Sequence, residues 1–249
     1  MLKKNHNDKV SWISRLPVPA SLIWLPEDSS TDEGLLAQAA EQLGIPTSGL
    51  GLMRDSRGRP YAALNGAPAA NLHVSNTHDG GERLLLLAQS DQLAGIGLDI
   101  VHLPRLRRPG KDATYLHRMA RRFMGNAEWV GFEKAASEDT DEELRVRVAA
   151  HFSLMEAASK ALGTGIKLLD SLPSTLPVSS ISILSLQPDT LVIFEGDAEA
   201  HKIEIEGGKC MAYWEADNNF LVSAVLIMKN RVISRMTIET NDRILSSKI

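Results

Sequence analysis

The chain of 249 residues has a single cysteine, Cys210. No intrachain disulfide can form, and a thiolate metal cluster is excluded. Aromatic residues make up only 5%, too few and too scattered for the stacking platform of a single-strand nucleic-acid binder. Apolar runs stop well short of the roughly 20 residues that cross a bilayer, so no membrane insertion is expected. Met1–Val10 is basic and lacks the apolar core of a secretory leader. Together with the lone cysteine, this leads to the expectation of a cytoplasmic location; the chain is expected to be a monomer. The formal net charge of -4 argues against a general nucleic-acid binder.

What is present is ordinary globular composition, with 43% hydrophobic and 23% charged residues. The charge is unevenly spread. Between His102 and Arg122, Arg105, Arg107, Arg108, Lys111, Arg118, Arg121 and Arg122 face Asp112 alone. Between Glu128 and Glu143 the balance reverses, with Lys134 the one cation among seven acids. The basic stretch reads either as a patch for an acidic partner or polyphosphate, or as a solvated face neutralised by the acidic run beside it.

Apolar periodicity predicts an early strand over Val18–Leu25 and a helix over Thr31–Leu43, capped by Thr31 or Asp32 and stopped by Gly44. Met53–Pro68 reads as turn-rich and Pro104–Gly110 as a basic loop. Strands are expected at Asn71–Ser75, Leu84–Gln89 and Ala94–Val101, and helices at Tyr115–Phe123, Ala127–Ala136 and Leu144–Leu162. The remainder changes character to short strands and tight turns, through Val178–Leu186, Leu191–Glu195, His201–Glu206, Cys210–Trp214 and Phe220–Leu226. The pattern is α+β in two lobes, an N-terminal lobe over 1–94 and a C-terminal lobe over 95–249.

Two acids stand out. Gly95-Ile-Gly-Leu-Asp99 ends an apolar strand with a carboxylate, and its two glycines leave room for a ligand or another chain segment to come close. It lacks the third glycine of a dinucleotide fingerprint. Asp99 alone is equally a turn-forming or capping residue. Glu156 lies on the long helix within Phe152-Ser-Leu-Met-Glu-Ala-Ala-Ser-Lys160, four residues before Lys160 and therefore on the same face. By itself that spacing also fits a surface ion pair, but the flanking Met155, Ala157, Ala158, Ala161 and Leu162 make it an unusually covered one. Brought together, Asp99 and Glu156 form a two-carboxylate magnesium site of the kind that keeps its other positions for water and phosphate.

The combination resembles the 4'-phosphopantetheinyl transferase superfamily. Gly97-Leu-Asp99 is similar to that family's first motif, and Phe152, Ser153, Glu156, Ala157 and Lys160 fill its second. Asp99-Ile-Val101 and Ala161-Leu-Gly-Thr-Gly-Ile166 resemble the small holo-acyl-carrier-protein synthases. Gly58-Arg-Pro60, Val74-Ser-Asn-Thr-His-Asp79 and the chain length are similar to the larger, surfactin-type enzymes. The family's usual Lys before the metal Glu is Met155 here, and Val101 stands where the larger enzymes carry a third acid.

The resemblance implies two similar lobes, each an antiparallel sheet with a long helix, in a pseudo-dimeric fold. It implies transfer of the 4'-phosphopantetheine arm of coenzyme A to a serine of an apo acyl or peptidyl carrier protein. Mg²⁺ would sit on Asp99 and Glu156, and Lys160 would touch a phosphate. Arg59, Pro60, Thr77 and His78 would bind coenzyme A, and Arg118, Arg121 and Arg122 would dock the carrier. Glu156 or a water held by the metal would take the serine proton. The alternative is a catalytically impaired carrier-binding module of the same fold, favoured by Met155 and Val101.

Overall fold

A computed structural model describes residues 10–107, 110–167, 175–177, 180–186, 192–194 and 207–229. The fold is α+β with antiparallel sheets. Strand β1 (Ala20–Pro26) leads to helix α1 (Asp32–Gln42), whose N-cap Thr31 accepts the Gly34 N–H. Then follow β2 (Leu50–Arg54), β3 (Pro60–Leu64), β4 (Ala67–Pro68), β5 (Leu72–Asp79), β6 (Glu82–Gln89) and β7 (Leu93–His102). Three helices come next: α2 (Ala113–Phe123), α3 (Asn126–Ala136) and α4 (Asp141–Ala161). Short strands β8 (Gly165–Lys167), β9 (Thr175–Pro177), β10 (Ile181–Ile183) and β11 (Val192–Phe194) precede the hairpin of β12 (Gly207–Ala216) and β13 (Phe220–Lys229).

The segment read as turn-rich, Met53–Pro68, holds most of a three-stranded sheet in the order β2-β3-β4. Its strands are short and two of them carry prolines, which masked the alternation. The expected basic loop after β7 is a 3-10 turn over Leu103–Arg107. The acidic segment before the long helix is its N-terminus. Thr140 accepts the Glu143 N–H while the Glu143 carboxylate accepts the Thr140 N–H, a reciprocal cap. The strand expected at His201–Glu206, Arg108 and everything after Lys229 lie outside the described residues.

Two three-stranded sheets organise the molecule, β1-β6-β5 and β12-β13-β7. Leu22, Trp24, Leu84 and Leu86 of the first pack on Ile96, Leu98, Ile100, Val222 and Ala224 of the second. The outer face of the first sheet is covered by Leu35, Leu36, Ala39 and Ala40 of α1. The outer face of the second is covered by α4. The order of layers is therefore helix, sheet, sheet, helix. At one side β5 and β7 run alongside each other in the same direction. Ser75 Oγ accepts the Leu98 N–H at 3.0 Å, and Asp79 Oδ2 accepts the His102 N–H at 2.8 Å. No described helix is long and apolar enough to cross a membrane.

The helix α4 lies directly on β7 because β7 carries glycine where they touch. A Cβ on Gly97 would overlap the Ala157 carbonyl oxygen, and one on Gly95 would overlap that of Ala161. Residues 95 and 97 share one strand face, and 157 and 161 are one helical turn apart, so the two periods meet at two points. The close approach expected of these glycines is thus made by another segment of the chain. Gly97→Ala should destabilise the protein by about 3 kcal/mol, because backbone, not a flexible side chain, has to move. Denaturant unfolding measures this, and a loss below about 1 kcal/mol would mean the contact relaxes easily.

Candidate active site

Asp99 follows Gly97 on the strand face turned to α4, and its side chain is largely buried. Its charge is compensated by three side chains from two elements. Lys160 Nζ of α4 donates to Oδ1 at 2.9 Å. Thr77 of β5 donates to the same oxygen at 3.3 Å, and Ser153 of α4 donates to Oδ2 at 3.0 Å. Lys160 also donates to the Leu98 carbonyl at 2.9 Å and to Thr77 Oγ1 at 3.3 Å, so its three N–H groups all have acceptors. Such a hydrogen-bonded arrangement is what makes a buried charge tolerable.

Glu156 sits between Ser153 and Lys160 on the same helix face and is half-buried. Its pKa is pushed up from 4.5 to about 7, chiefly by burial and then by the negative charge of Asp99, with Lys160 pulling the other way. One ammonium is shared by two carboxylates, and further positive charge would relieve the remainder. Both acids are hard oxygen donors, so the pair fits a Mg²⁺ completed by water and phosphate. Among the described residues no cluster of three or more His, Cys, Asp or Glu side chains assembles. Val101, two residues after Asp99 on the same face, is instead packed with Leu103, Leu106, Ala149 and Ala150. Met155 is equally committed to the core, in the cluster that includes Leu154, Ile181 and Phe194, and supplies no cation to the site.

Beside this group a cleft of about 320 Å³ opens between the two sheets and the hairpin of β2 and β3. Lys160, Gly163 and Thr164 form one wall, and Arg57, Arg59 and Pro60 the opposite one. The hairpin is held by Asp55, whose Oδ1 accepts the N–H groups of Arg57 and Arg59, both at 2.9 Å. The Arg59 guanidinium lies where a side chain on Gly163 would have to go, so it reaches across the cleft to the end of α4. Arg54 also lines the cleft but is tied to Asp32 at 3.0 Å.

The structure therefore gathers Asp99, Glu156, Lys160 and Thr77, with Arg59 and Pro60 on the adjoining cleft. Thr77 serves Asp99 and Lys160 and does not line the cleft. His78 is not brought there at all. Alternation along β5 sends Thr77 toward β7 and its neighbours Asn76 and His78 to the other face. Asn76 bonds Asp32 of α1 at 3.0 Å, and the exposed His78 lies 3.5 Å from Glu27. The histidine that does line the cleft is His73, which the sequence reading left without a role. Its ring meets the Ser90 carbonyl at 3.1 Å, and burial lowers its pKa. Arg57 was missed as well, although the Asp-x-x-Gly turn preceding Arg59 was the available signal.

The basic stretch divides. Arg105 pairs with Asp79 at 2.9 Å and Arg107 with Glu142. Arg121 donates to Asn126 Oδ1 at 2.9 Å and lies over the Trp129 ring. Arg118 and Arg122 are exposed on α2, and neither has an ion-pair partner among the described residues. The acidic run is mostly occupied elsewhere, with Asp139 on Arg147 and Glu128 on His151.

Comparison with known proteins bears on this segment. The family model described as the 4'-phosphopantetheinyl transferase superfamily matches residues 95–214. Over 166 residues the chain is 29% identical to the L-aminoadipate-semialdehyde dehydrogenase-phosphopantetheinyl transferase of Rattus norvegicus, covering 64% of this chain and 50% of that protein. Over 75 residues it is 44% identical to a holo-acyl-carrier-protein synthase of Alteromonas mediterranea, covering 30% of this chain and 52% of that one. The chain spans about half the length of these curated relatives. A crystal structure of a holo-acyl-carrier-protein synthase from Bacillus anthracis aligns with 56% of this chain and 99% of its own, at a TM-score of 0.40 and 21% identity.

The raised pKa of Glu156 has a consequence for stability. The folded state holds this proton more tightly than the unfolded chain, so the contribution is complete below pH 4.5 and lost as pH rises through about 7. In chelator, unfolding free energy should fall across that window by up to about 3 kcal/mol. Glu156→Gln should flatten the profile there. Denaturant titrations from pH 4 to 8 on both proteins check this, and parallel profiles would show that Glu156 ionises without strain.

Proposed function

With residues 95–214 a segment of the 4'-phosphopantetheinyl transferase superfamily, we propose that the chain transfers the phosphopantetheine arm of coenzyme A to a serine of an apo carrier protein. The observation that carries this reading is the convergence of Asp99, Glu156 and Lys160 beside an arginine-lined cleft. The serine hydroxyl oxygen forms a bond to the phosphorus that carries the pantetheine arm. The bond from that phosphorus to the bridging pyrophosphate oxygen breaks, the serine proton passes to Glu156 or to a water and on to solvent, and adenosine 3',5'-bisphosphate leaves.

Asp99 and Glu156 are the residues that would hold Mg²⁺, which when bound neutralises pyrophosphate charge and polarises the phosphoryl group. Lys160 sits within reach of both the carboxylate pair and the cleft, and supplies positive charge where the two meet. Arg59 and Arg57 bind nucleotide phosphate from the hairpin side, Arg59 with a planar donor set suited to it. Thr77 orients Asp99 and Lys160. His78 is given no part in coenzyme A binding. Arg118 and Arg122 offer a local positive surface on a chain of net charge -4, and dock an acidic carrier. Arg121 is already engaged within the chain and contributes less.

Incubation with coenzyme A, Mg²⁺ and a panel of apo acyl and peptidyl carriers, read by intact mass, tests the assignment. Addition of one phosphopantetheine to a carrier is expected, and Asp99→Ala should abolish it with the fold retained. Carrier binding without any mass gain would shift the assignment to a carrier-binding module. Normal turnover of Asp99→Ala would remove the site.

Replacing both Arg118 and Arg122 with Glu should raise the carrier KM several-fold and blunt its salt dependence, with coenzyme A affinity unchanged, because rim charges act mainly on association. An unaltered carrier KM at low and high salt would locate docking elsewhere.

A further inference from the structure

The hydrogen bonding behind Asp99 continues past its direct partners into the core. Ser223 of β13 lies directly across the strand pair from Asp99. Ser153 of α4 sits over both. Its Oγ is 3.0 Å from Asp99 Oδ2 and 2.8 Å from Ser223 Oγ. Both serines are fully buried, at 0% exposure. On the same strand Val222, Ala224, Val225, Leu226 and Ile227 are all buried and apolar, so Ser223 is a polar exception within the core.

The direction of this chain follows from chemistry. An ionised carboxylate only accepts, so Ser153 spends its single proton on Asp99. Its remaining capacity toward Ser223 is a lone pair, so Ser223 donates to Ser153. The sequence is Ser223 to Ser153 to Asp99, and each donation strengthens the next. Meanwhile Oδ1 is engaged by Thr77 and Lys160. The carboxylate is therefore held at both oxygens, by α4 and β5 directly and by β13 through Ser153, and cannot turn about its Cβ–Cγ bond without breaking one of these bonds.

We propose that Ser153 and Ser223 are positioning residues that orient the Asp99 carboxylate for cation binding, acting as a directed two-hydroxyl relay behind the site. This rests on the reading of Asp99 as a metal ligand. Groups that hydrogen-bond a ligating carboxylate govern how well it binds, and their loss commonly weakens metal affinity about 10- to 100-fold. Ser153 transmits the constraint from helix to carboxylate. Ser223 fixes Ser153 by consuming its lone pair, which ties the site to the β13 backbone.

The probe is Mn²⁺, with affinity read from free-ion electron paramagnetic resonance and stability from thermal unfolding in chelator. Ser153→Ala should weaken Mn²⁺ about tenfold and also lower the melting temperature, since it leaves the Ser223 hydroxyl buried without its acceptor. The double variant Ser153→Ala/Ser223→Ala removes that orphan. It should regain much of the stability while Mn²⁺ affinity stays weak. A purely structural role predicts the opposite, affinity recovering with stability. Ser223→Ala alone should weaken Mn²⁺ by a smaller factor, because Ser153 still donates to Asp99. Asp99→Asn is the control. If it abolishes Mn²⁺ binding while both serine variants bind within twofold of wild type, the relay is wrong and the metal site stands. If Asp99→Asn binds Mn²⁺ normally, the metal assignment and the relay fall together.

Discussion

The contact on which the site depends is backbone against backbone. Helix α4 rests its Ala157 and Ala161 carbonyls on Gly97 and Gly95 of β7. With any larger residue at those positions the helix would stand off by a side-chain thickness. The cluster around Asp99 needs the shorter separation. Ser153 and Lys160 reach the carboxylate from positions about two turns apart on α4, with Glu156 on the turn between them. The small residues of the helix, Ala157, Ala158 and Ala161, are all buried and complete the fit.

Close packing creates an electrostatic problem that the fold answers only in part. Asp99 is satisfied by an ammonium and two hydroxyls. Burial and its neighbour's charge push the Glu156 pKa up to about 7. A site that concentrates two carboxylates at the edge of a cleft lined by arginines is more consistent with handling a cation and polyphosphate than with stabilising a core, since a buried pair of like charges costs stability. The hydroxyls behind Asp99 lower that cost without adding charge, and leave the pair's net negative character intact.

Charge on the rest of the surface is sorted by the same packing. The 3-10 turn after β7 places Arg105 and Arg107 against Asp79 and Glu142, which ties that turn to the end of β5 and the start of α4. Helix α2 buries Leu116, Ala120 and Phe123. Its 3.6-residue period then turns Arg118 and Arg122 outward. The apparent rivalry between a docking patch and internal neutralisation resolves residue by residue. Among the described residues, Arg105 and Arg107 before α2 are ion-paired, and Arg118 and Arg122 on it are not.

Much was legible in the sequence because it rests on local rules. The apolar period of α4 and its stop at Gly163 are one-dimensional patterns. So are the runs that became β6, β7 and β13, and the spacing that sets Glu156 and Lys160 on one helix face. Motif order was enough to single out Asp99 and Arg59. Other features needed the third dimension. Which face of β5 meets β7 depends on strand pairing, and that choice admits Thr77 and turns His78 away. The sheet within Met53–Pro68 rests on long-range pairing of short strands whose own pattern is weak. Ser223 carries no signal, as a single polar residue in an apolar strand becomes a partner of the site only through its register against Asp99. Sequence alone determined which chemical groups and helix faces the protein has. Tertiary structure decided which of them share an oxygen atom, because burial and hydrogen bonding act between strands and helices that are far apart along the chain.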